Sequence, residues 1–428
     1  MNHLPIDPGA DRSRRAWLRC PHCDHGRDCP QCQNNQNCQT HWQYLLKNAG
    51  TRVSLQCPAC ARRWSVDTAQ MRRRERDVVR TIPLDSCVRD LAVSPDGARV
   101  YAITAKSVNV IDRAHRIVAT IPIDVDAKST MVSHDGSLVY VTGYDGSIAI
   151  FDAVDHTVRT VERDASTAQV VSPEDGYVYS AHNQGRNCWV SAMGVDGTTA
   201  AVVPVDSYAS ALALSPDGGR LYVASSKPQS HQLRGHGSIS IIDTATFTLI
   251  EVIAMQSAPD DVSVSPDGST LYATHYHKNA ISAIALESLC RRMIRLDDAP
   301  IDVVASPDGA HVYVTNLHSV ALIDTATYGA ESVPTGKLPR HVDISSDGKR
   351  AYVTDFRLNC VSVLDPLDKT VIATVDLGRN PEALALSADE ELLYVADRLT
   401  PTLAVISLPT SKPRLGRTGE ITRSPVTC

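Results

Sequence analysis

The sequence predicts an all-β protein: an eight-bladed β-propeller, with seven blades as the alternative, preceded by a small cysteine-rich module. Three observations predict it. A phrase whose cleanest copy reads VSPDGSTLYAT, from Val264 to Thr274, recurs through most of the chain. With its serine as marker, the copies sit at Ser94, Ser133, Ser172, Ser215, Ser265, Ser306, Ser345 and Ser387, spaced by 39, 39, 43, 50, 41, 39 and 42 residues. A period of about forty residues, built from strand-like runs with no helix-like ones, marks four-stranded units repeated around a ring. The second observation is a strand-like run, Val78 to Leu84, with no inner strands before it. The third is that seven of the twelve cysteines fall between Cys20 and Cys60.

The length of 428 residues would suit two or three ordinary domains, but a propeller uses such a length as one. Hydrophobic residues make up 43% and aromatics only 5%, so the core must be built from Val, Ile, Leu and Ala. The start, MNHLPIDPGADRSRRAW, has no apolar segment of signal-peptide length, and nothing downstream approaches a membrane span. A cytoplasmic protein without membrane contact is expected, with residues 1–16 as a flexible N-terminus. Charge is divided unevenly, at +7 up to Arg80 and −13 beyond it. That division is either plain solvated surface or a basic docking face for nucleic acid or an acidic partner.

Residues 17–68 carry the cysteines. Cys20-Pro-His-Cys23, Cys29-Pro-Gln-Cys32 and Cys57-Pro-Ala-Cys60 each place two sulfurs on one turn, and thiolates hold zinc at ~2.3 Å in a tetrahedron. Trp17-Leu18-Arg19 precedes the first turn, Val53 to Gln56 precedes the last, and Trp64 follows at a spacing suited to packing beside the site. The stretch resembles a zinc ribbon, with Cys20, Cys23, Cys57 and Cys60 as the ligands of a first zinc. Cys29, Cys32, Cys38 and His41 have the spacing for a second, with His25 or His22 as substitutes. One zinc with spare thiols, or disulfides in an oxidising compartment, are the alternatives. So small a module cannot bury its own core, so metal binding would supply most of its folding free energy. Residues 69–77, rich in arginine, form a basic linker.

From residue 78 to 410 the repeated phrase has a physical reading. Apolar runs such as Leu91-Ala92-Val93 and Val100-Tyr101-Ala102-Ile103 flank a tight turn. In that turn Pro95 presets φ, Asp96 can bond its own backbone and Gly97 supplies the positive φ. A third strand ends at an Asp, as in Ile241-Ile242-Asp243-Thr244, and a fourth follows, as in Thr370 to Val375. Two copies depart from the pattern: Ser172 is followed by Pro-Glu-Asp-Gly, and Ser387 by Ala-Asp-Glu with no glycine. Looser turns are expected there. The last copy lacks its own outer strand, so Val78 to Leu84 can complete it and close the ring. Residues 411–428 read as a flexible tail. The five cysteines outside the module (Cys87, Cys188, Cys290, Cys360, Cys428) read as buried small hydrophobes.

The strings VYVTN (Val312 to Asn316), VYVTG (Val139 to Gly143) and AYVTD (Ala351 to Asp355), each after such a turn, resemble the YVTN β-propeller repeat. The resemblance spans about three-quarters of the chain and implies the fold rather than a function. Many members of that family are exported, so a cytoplasmic setting would depart from its habit.

Residues four and five before each marker serine begin the innermost strand and face the mouth of the central channel. Around the ring they are Arg89/Asp90, Lys128/Ser129, Thr167/Ala168, Ser210/Ala211, Asp260/Asp261, Ile301/Asp302, Arg340/His341 and Glu382/Ala383. Loops between second and third strands add His275, His277, His318, Asp355, Arg357, Asp397 and Arg398, and an insertion, Ser225 to Gly237, overhangs the same face. Carboxylates and imidazoles in such a place hold a cation or orient a polar ligand, although a wet channel mouth is polar in any case. No Ser-His-Asp order and no phosphate-binding glycine loop is present. The function expected is therefore that of a zinc-binding propeller acting as a protein-interaction scaffold or ligand-binding protein. Asp260, Asp261, Asp302, His341, His275, His277, His318, Asp355 and Arg357 are the candidate contacts. A lactonase- or hydrolase-like propeller enzyme using the Asp/His mouth, and nucleic-acid binding through the basic ribbon, are the rivals.

Overall fold

The structure is a computed structural model. It describes residues 78–408, save 162–165, 173–175, 185–186, 195, 227–235, 337 and 378–379, together with four strands in the first 67 residues. The chain divides into two compact units, Met1–Asp77 and Val78–Cys428.

In the first unit, Asp11–Ala16, Gln43–Ala49, Arg52–Gln56 and Arg63–Asp67 form one antiparallel sheet in chain order. Asp11–Ala16 falls in the stretch expected to be flexible; its backbone instead pairs with the second strand, Arg15 opposite Tyr44. The proposed ligands Cys20, Cys23, Cys29, Cys32, Cys38, His41, Cys57 and Cys60, the linker 69–77 and the tail 411–428 lie outside the described residues.

The second unit is all-β, with eight four-stranded antiparallel blades. Blade 1 is Val88–Val93, Arg99–Thr104, Ser107–Asp112 and Ile117–Pro122. Blades 2 to 7 repeat that order, and blade 8 is Pro381–Leu386, Leu392–Asp397, Thr402–Ser407 and, from the other end of the unit, Val78–Pro83. Ile82 lies opposite Leu403 and Arg80 opposite Val405. The seven-bladed alternative is set aside, because the irregular Ser172 copy builds a full blade of its own.

Two devices recur around the ring. In seven blades the marker serine hydroxyl donates to the aspartate two residues on, as in Ser265 Oγ to Asp267 Oδ1 at 2.5 Å and Ser306 Oγ to Asp308 Oδ1 at 2.6 Å. The same oxygen accepts the amide five residues on, as from Thr270 N at 2.9 Å. These bonds hold Asp96, Asp135, Asp217, Asp267 and Asp389 below the usual carboxylate range. Asp135 falls to about 2 through the Ser133 hydroxyl first, and Asp347 to about 2 through Lys349 first. The second device is the tyrosine of the YVTN-like string. Tyr101, Tyr140, Tyr179, Tyr222, Tyr272, Tyr313, Tyr352 and Tyr394 are all buried, each in the apolar layer toward the following blade. Burial pushes the Tyr272 phenol up to about 12. Eight such layers, filled otherwise by Val, Ile, Leu and Ala, make the core.

Two expectations are corrected. The blade 8 turn is not loose: Glu390 takes glycine's place at φ 55, and its amide donates to Ser387 O at 2.8 Å. Its side chain also accepts Ser346 N from blade 7 at 2.5 Å, which offsets the strain of the left-handed backbone. Among the scattered cysteines, Cys188 and Cys360 are buried, whereas Cys87 is half-buried and Cys290 exposed. Cys290 lies in the connection before an outer strand, where no apolar layer covers it.

Candidate channel-mouth site

The start of each innermost strand and the end of the second strand share one end of the blade. In seven blades the pairing between them carries a bulge at the residue five before the marker serine. Examples are Arg89, between Val88 and Asp90, and Glu382, between Pro381 and Ala383. In blade 7 the shift spans both Arg340 and His341. A bulge leaves its residue unpaired and re-aims the side chain. In blade 5 the regular strand is only Val262–Val264, and Asp260 and Asp261 instead hold Thr274 by single backbone bonds.

The carboxylates on these strands bind the neighbouring blade. Asp90 Oδ2 accepts Thr130 N at 2.7 Å, Asp261 Oδ2 accepts Val303 N at 3.1 Å, and Asp343 Oδ2 accepts Leu386 N at 3.0 Å. Each spans from one innermost strand to the next. Asp302 Oδ1 also accepts Val303 N, at 2.8 Å, so the Asp261 and Asp302 carboxyls are adjacent. Burial first, then Asp302, raises the Asp261 carboxyl well above its ordinary range. Burial likewise raises Asp90, against which the amides of Thr130 and Leu91 work. The structure therefore brings Asp261 and Asp302 together, whereas His341 lies in the blade 7 bulge, its amide donating to Thr354 Oγ1 at 3.1 Å. Among the described residues no three His, Cys, Asp or Glu side chains converge as metal ligands.

The other expected contacts divide. His275 is a correction: it ends the strand Thr270–His275 rather than lying in an open loop, and it is fully buried. Its Nδ1 pairs with Ala258 O at 3.1 Å and its Nε2 with Ser282 Oγ at 2.8 Å, and burial lowers its pKa. Asp355 is a second correction: it too is a buried strand end, and its Oδ1 accepts Arg357 N and Leu358 N at 3.0 and 2.6 Å. Both are structural because the second strand runs further than the motif suggests. Asp260 is exposed, but its Oδ2 accepts Tyr276 N at 2.7 Å. His318 is exposed and pairs with Asp298 at 2.8 Å; His277 and Arg357 are exposed. Of the insertion, Ser225, Ser226 and Gly237 prove to be strand residues, Ser226 opposite Gly237, while 227–235 lie outside the described residues.

The repeat pattern alone does not single out Asp343, two residues before its marker serine, or the placement of arginines over rings. Arg89 lies 5.2 Å from the centre of Tyr144, which is 59% exposed. Arg340 and Arg398 lie 5.3 and 6.0 Å from the centre of Phe356. The available signal was Arg89 and Arg340 at the same position of their repeats, each with an aromatic residue just past a nearby second strand.

No protein-family model matches the chain, and no curated protein matches it in sequence. Among solved structures it is similar to hydrazine synthase of Kuenenia stuttgartiensis, at 23% identity over 65% of this chain and 94% of that one, with a TM-score of 0.52. That likeness shows the fold alone. It is a β-propeller. No helix among the described residues is long and apolar enough to cross a membrane.

Proposed function

We propose that the propeller is a binding protein whose channel-mouth face engages a protein partner. One observation carries this reading: the two faces of the ring differ in kind. The turn face repeats the same serine–aspartate bonds from blade to blade, so it offers little to distinguish one partner from another. The mouth face presents different exposed side chains around the ring, Asp260, His277, His318, Arg357 and Arg398 among them. Mixed charges of this kind make directional, charge-assisted hydrogen bonds. The repeated Tyr-Val-Thr strings support membership of the YVTN propellers, and the paired cysteine turns support a zinc ribbon before the ring. Strand Arg52–Gln56 ends immediately before Cys57, and strand Arg63–Asp67 begins three residues after Cys60, which suits a metal knuckle joining them.

Affinity capture with the full chain tests the reading. Replacing Asp260 with Asn, and His277 and His318 with Ala, should abolish capture of the specific partner. Replacing Arg113 and Lys349 with Ala on the turn face should leave it intact. The opposite pattern would put the binding surface on the turn face.

A further inference from the structure

The mouth of blades 7 and 8 carries a cluster of arginines about one aromatic ring. Arg340, at the bulge of blade 7, lies 5.3 Å from the centre of the Phe356 ring. Arg398, in the loop after the second strand of blade 8, lies 6.0 Å from the same ring. Arg357 is the next residue after Phe356, and all three arginines are exposed.

Of the carboxylates nearby, one is ion-paired with this group among the described residues. Glu382 pairs with Arg398 at 3.1 Å. Asp355 is buried, with one oxygen on the amides of Arg357 and Leu358. Asp397 Oδ1 accepts the amides of Leu399 and Thr400 at 2.7 and 3.0 Å. The guanidinium of Arg340 has the Phe356 ring as its contact, and it makes no hydrogen bond or ion pair among the described residues. Three arginines thus stand beside three carboxylates, of which Glu382 alone pairs with a guanidinium among the described residues, in a part of the chain whose charge beyond Arg80 sums to −13.

We propose that Arg340, Phe356, Arg357 and Arg398 form a binding site for a small multivalent oxyanion, a molecule carrying phosphate or carboxylate groups. A guanidinium donates from its edges, in its own plane, in a fork that matches two oxygens of one anion. The Phe356 ring lies over one side of the Arg340 group and leaves its donors free, whereas Arg398 Nη1 already donates to both oxygens of Glu382 at 3.1 and 3.3 Å, so an anion there must share or displace that carboxylate. The ring contact restricts the Arg340 side chain beforehand, so less freedom is lost when an anion arrives. The exposed carboxylate Asp260 and the paired Asp298 on blades 5 and 6 disfavour an anion there, which confines the site to the blade 7–8 side. The site deepens the mouth-face reading and rests on it for which face is the binding one.

Calorimetric titration of the full chain with pyrophosphate, and separately with citrate, tests the proposal at low and at moderate salt. Both Arg340→Gln and Arg398→Gln should weaken binding about tenfold or more, since each removes a charged donor. Phe356→Leu should weaken it less, and Arg113→Gln on the turn face not at all. Binding should weaken as salt rises. Preference for pyrophosphate identifies a phosphate ligand, and preference for citrate a carboxylate one. Absence of binding by the unaltered chain, or equal binding by Arg340→Gln and Arg398→Gln, overturns the site. Loss of partner capture in the Asp260/His277/His318 variant alongside no anion binding would leave the mouth-face reading standing. Anion binding lost in Arg340→Gln, with partner capture indifferent to the blade 5–6 variant, would do the reverse.

Discussion

The amide of Val303 donates to two carboxylates at once, Asp261 Oδ2 at 3.1 Å and Asp302 Oδ1 at 2.8 Å. Two negative groups so placed, on adjacent blades, repel each other unless a proton lies between them. Burial and the neighbouring carboxyl accordingly hold Asp261 well above its ordinary pKa.

The sign of the consequence follows from linkage. In the folded ring Asp261 keeps its proton to a higher pH than in the unfolded chain, so the ring binds more protons above about pH 4 and loses stability as pH rises through that window. Asp90, raised by burial, acts in the same direction. Asp302→Asn removes the like charge while retaining an acceptor for Val303. Its melting temperature should exceed that of the unaltered protein at pH 8 and approach it at pH 5, with about 1.4 kcal/mol for each unit by which Asp302, rather than burial, had raised the pKa. Parallel melting curves of the two proteins from pH 5 to 8 would exclude a shared proton.

Closure of the ring through Val78–Pro83 makes a separate prediction. Deleting residues 1–77 removes the first compact unit and leaves blade 8 complete. Deleting 1–84 strips the outer strand, and with it the buried side chains of Ile82 and Leu84. Each is worth about 1.5–3 kcal/mol in apolar burial, and Thr402–Ser407 becomes an open edge. The shorter deletion should yield a soluble ring with a single cooperative transition, and the longer one should aggregate. Equal solubility in light scattering would mean that the clasp contributes nothing.

The marker serine is a third target. Ser265 Oγ donates to Asp267 and accepts Thr270 N, and the residue is buried. Ser265→Ala leaves that amide without its acceptor, so a loss of about 1–3 kcal/mol is expected in denaturant unfolding. Loss of less than a tenth of that would show that water replaces the hydroxyl.

These contrasts show what could be read from residues alone. The blade number, the clasp and the serine–aspartate turn were legible because each depends on local backbone chemistry repeated at a fixed interval, which a single chain displays directly. The mouth was only half legible. The repeat identifies which residue reaches the mouth but not how far a strand continues. His275 and Asp355 therefore looked like loop ligands, whereas one more ladder pair each, His275 with Ala280 and Asp355 with Cys360, buries them. Pairings between blades depend on residues about forty apart in sequence, as with Asp90 and Thr130 or Asp343 and Leu386, and no local pattern announces them. Glu390 illustrates the converse: a residue that breaks the turn pattern is accommodated by a contact on another blade.

Zinc content is the last prediction. Four thiolates from Cys20, Cys23, Cys57 and Cys60 would satisfy one tetrahedral ion, and Cys29, Cys32 and Cys38 with His41 a second. Protein purified in reductant should therefore carry one or two zinc ions per chain by elemental analysis. One ion would mean that the middle cysteines are spare, and none would remove the zinc ribbon altogether. Replacing Cys57 and Cys60 with Ser should eliminate the first ion. Because the propeller is a compact unit with its own core, the same change should leave its melting transition in place while the first unit loses protection against proteolysis. A propeller transition that moved with the metal would instead show that the two units fold as one.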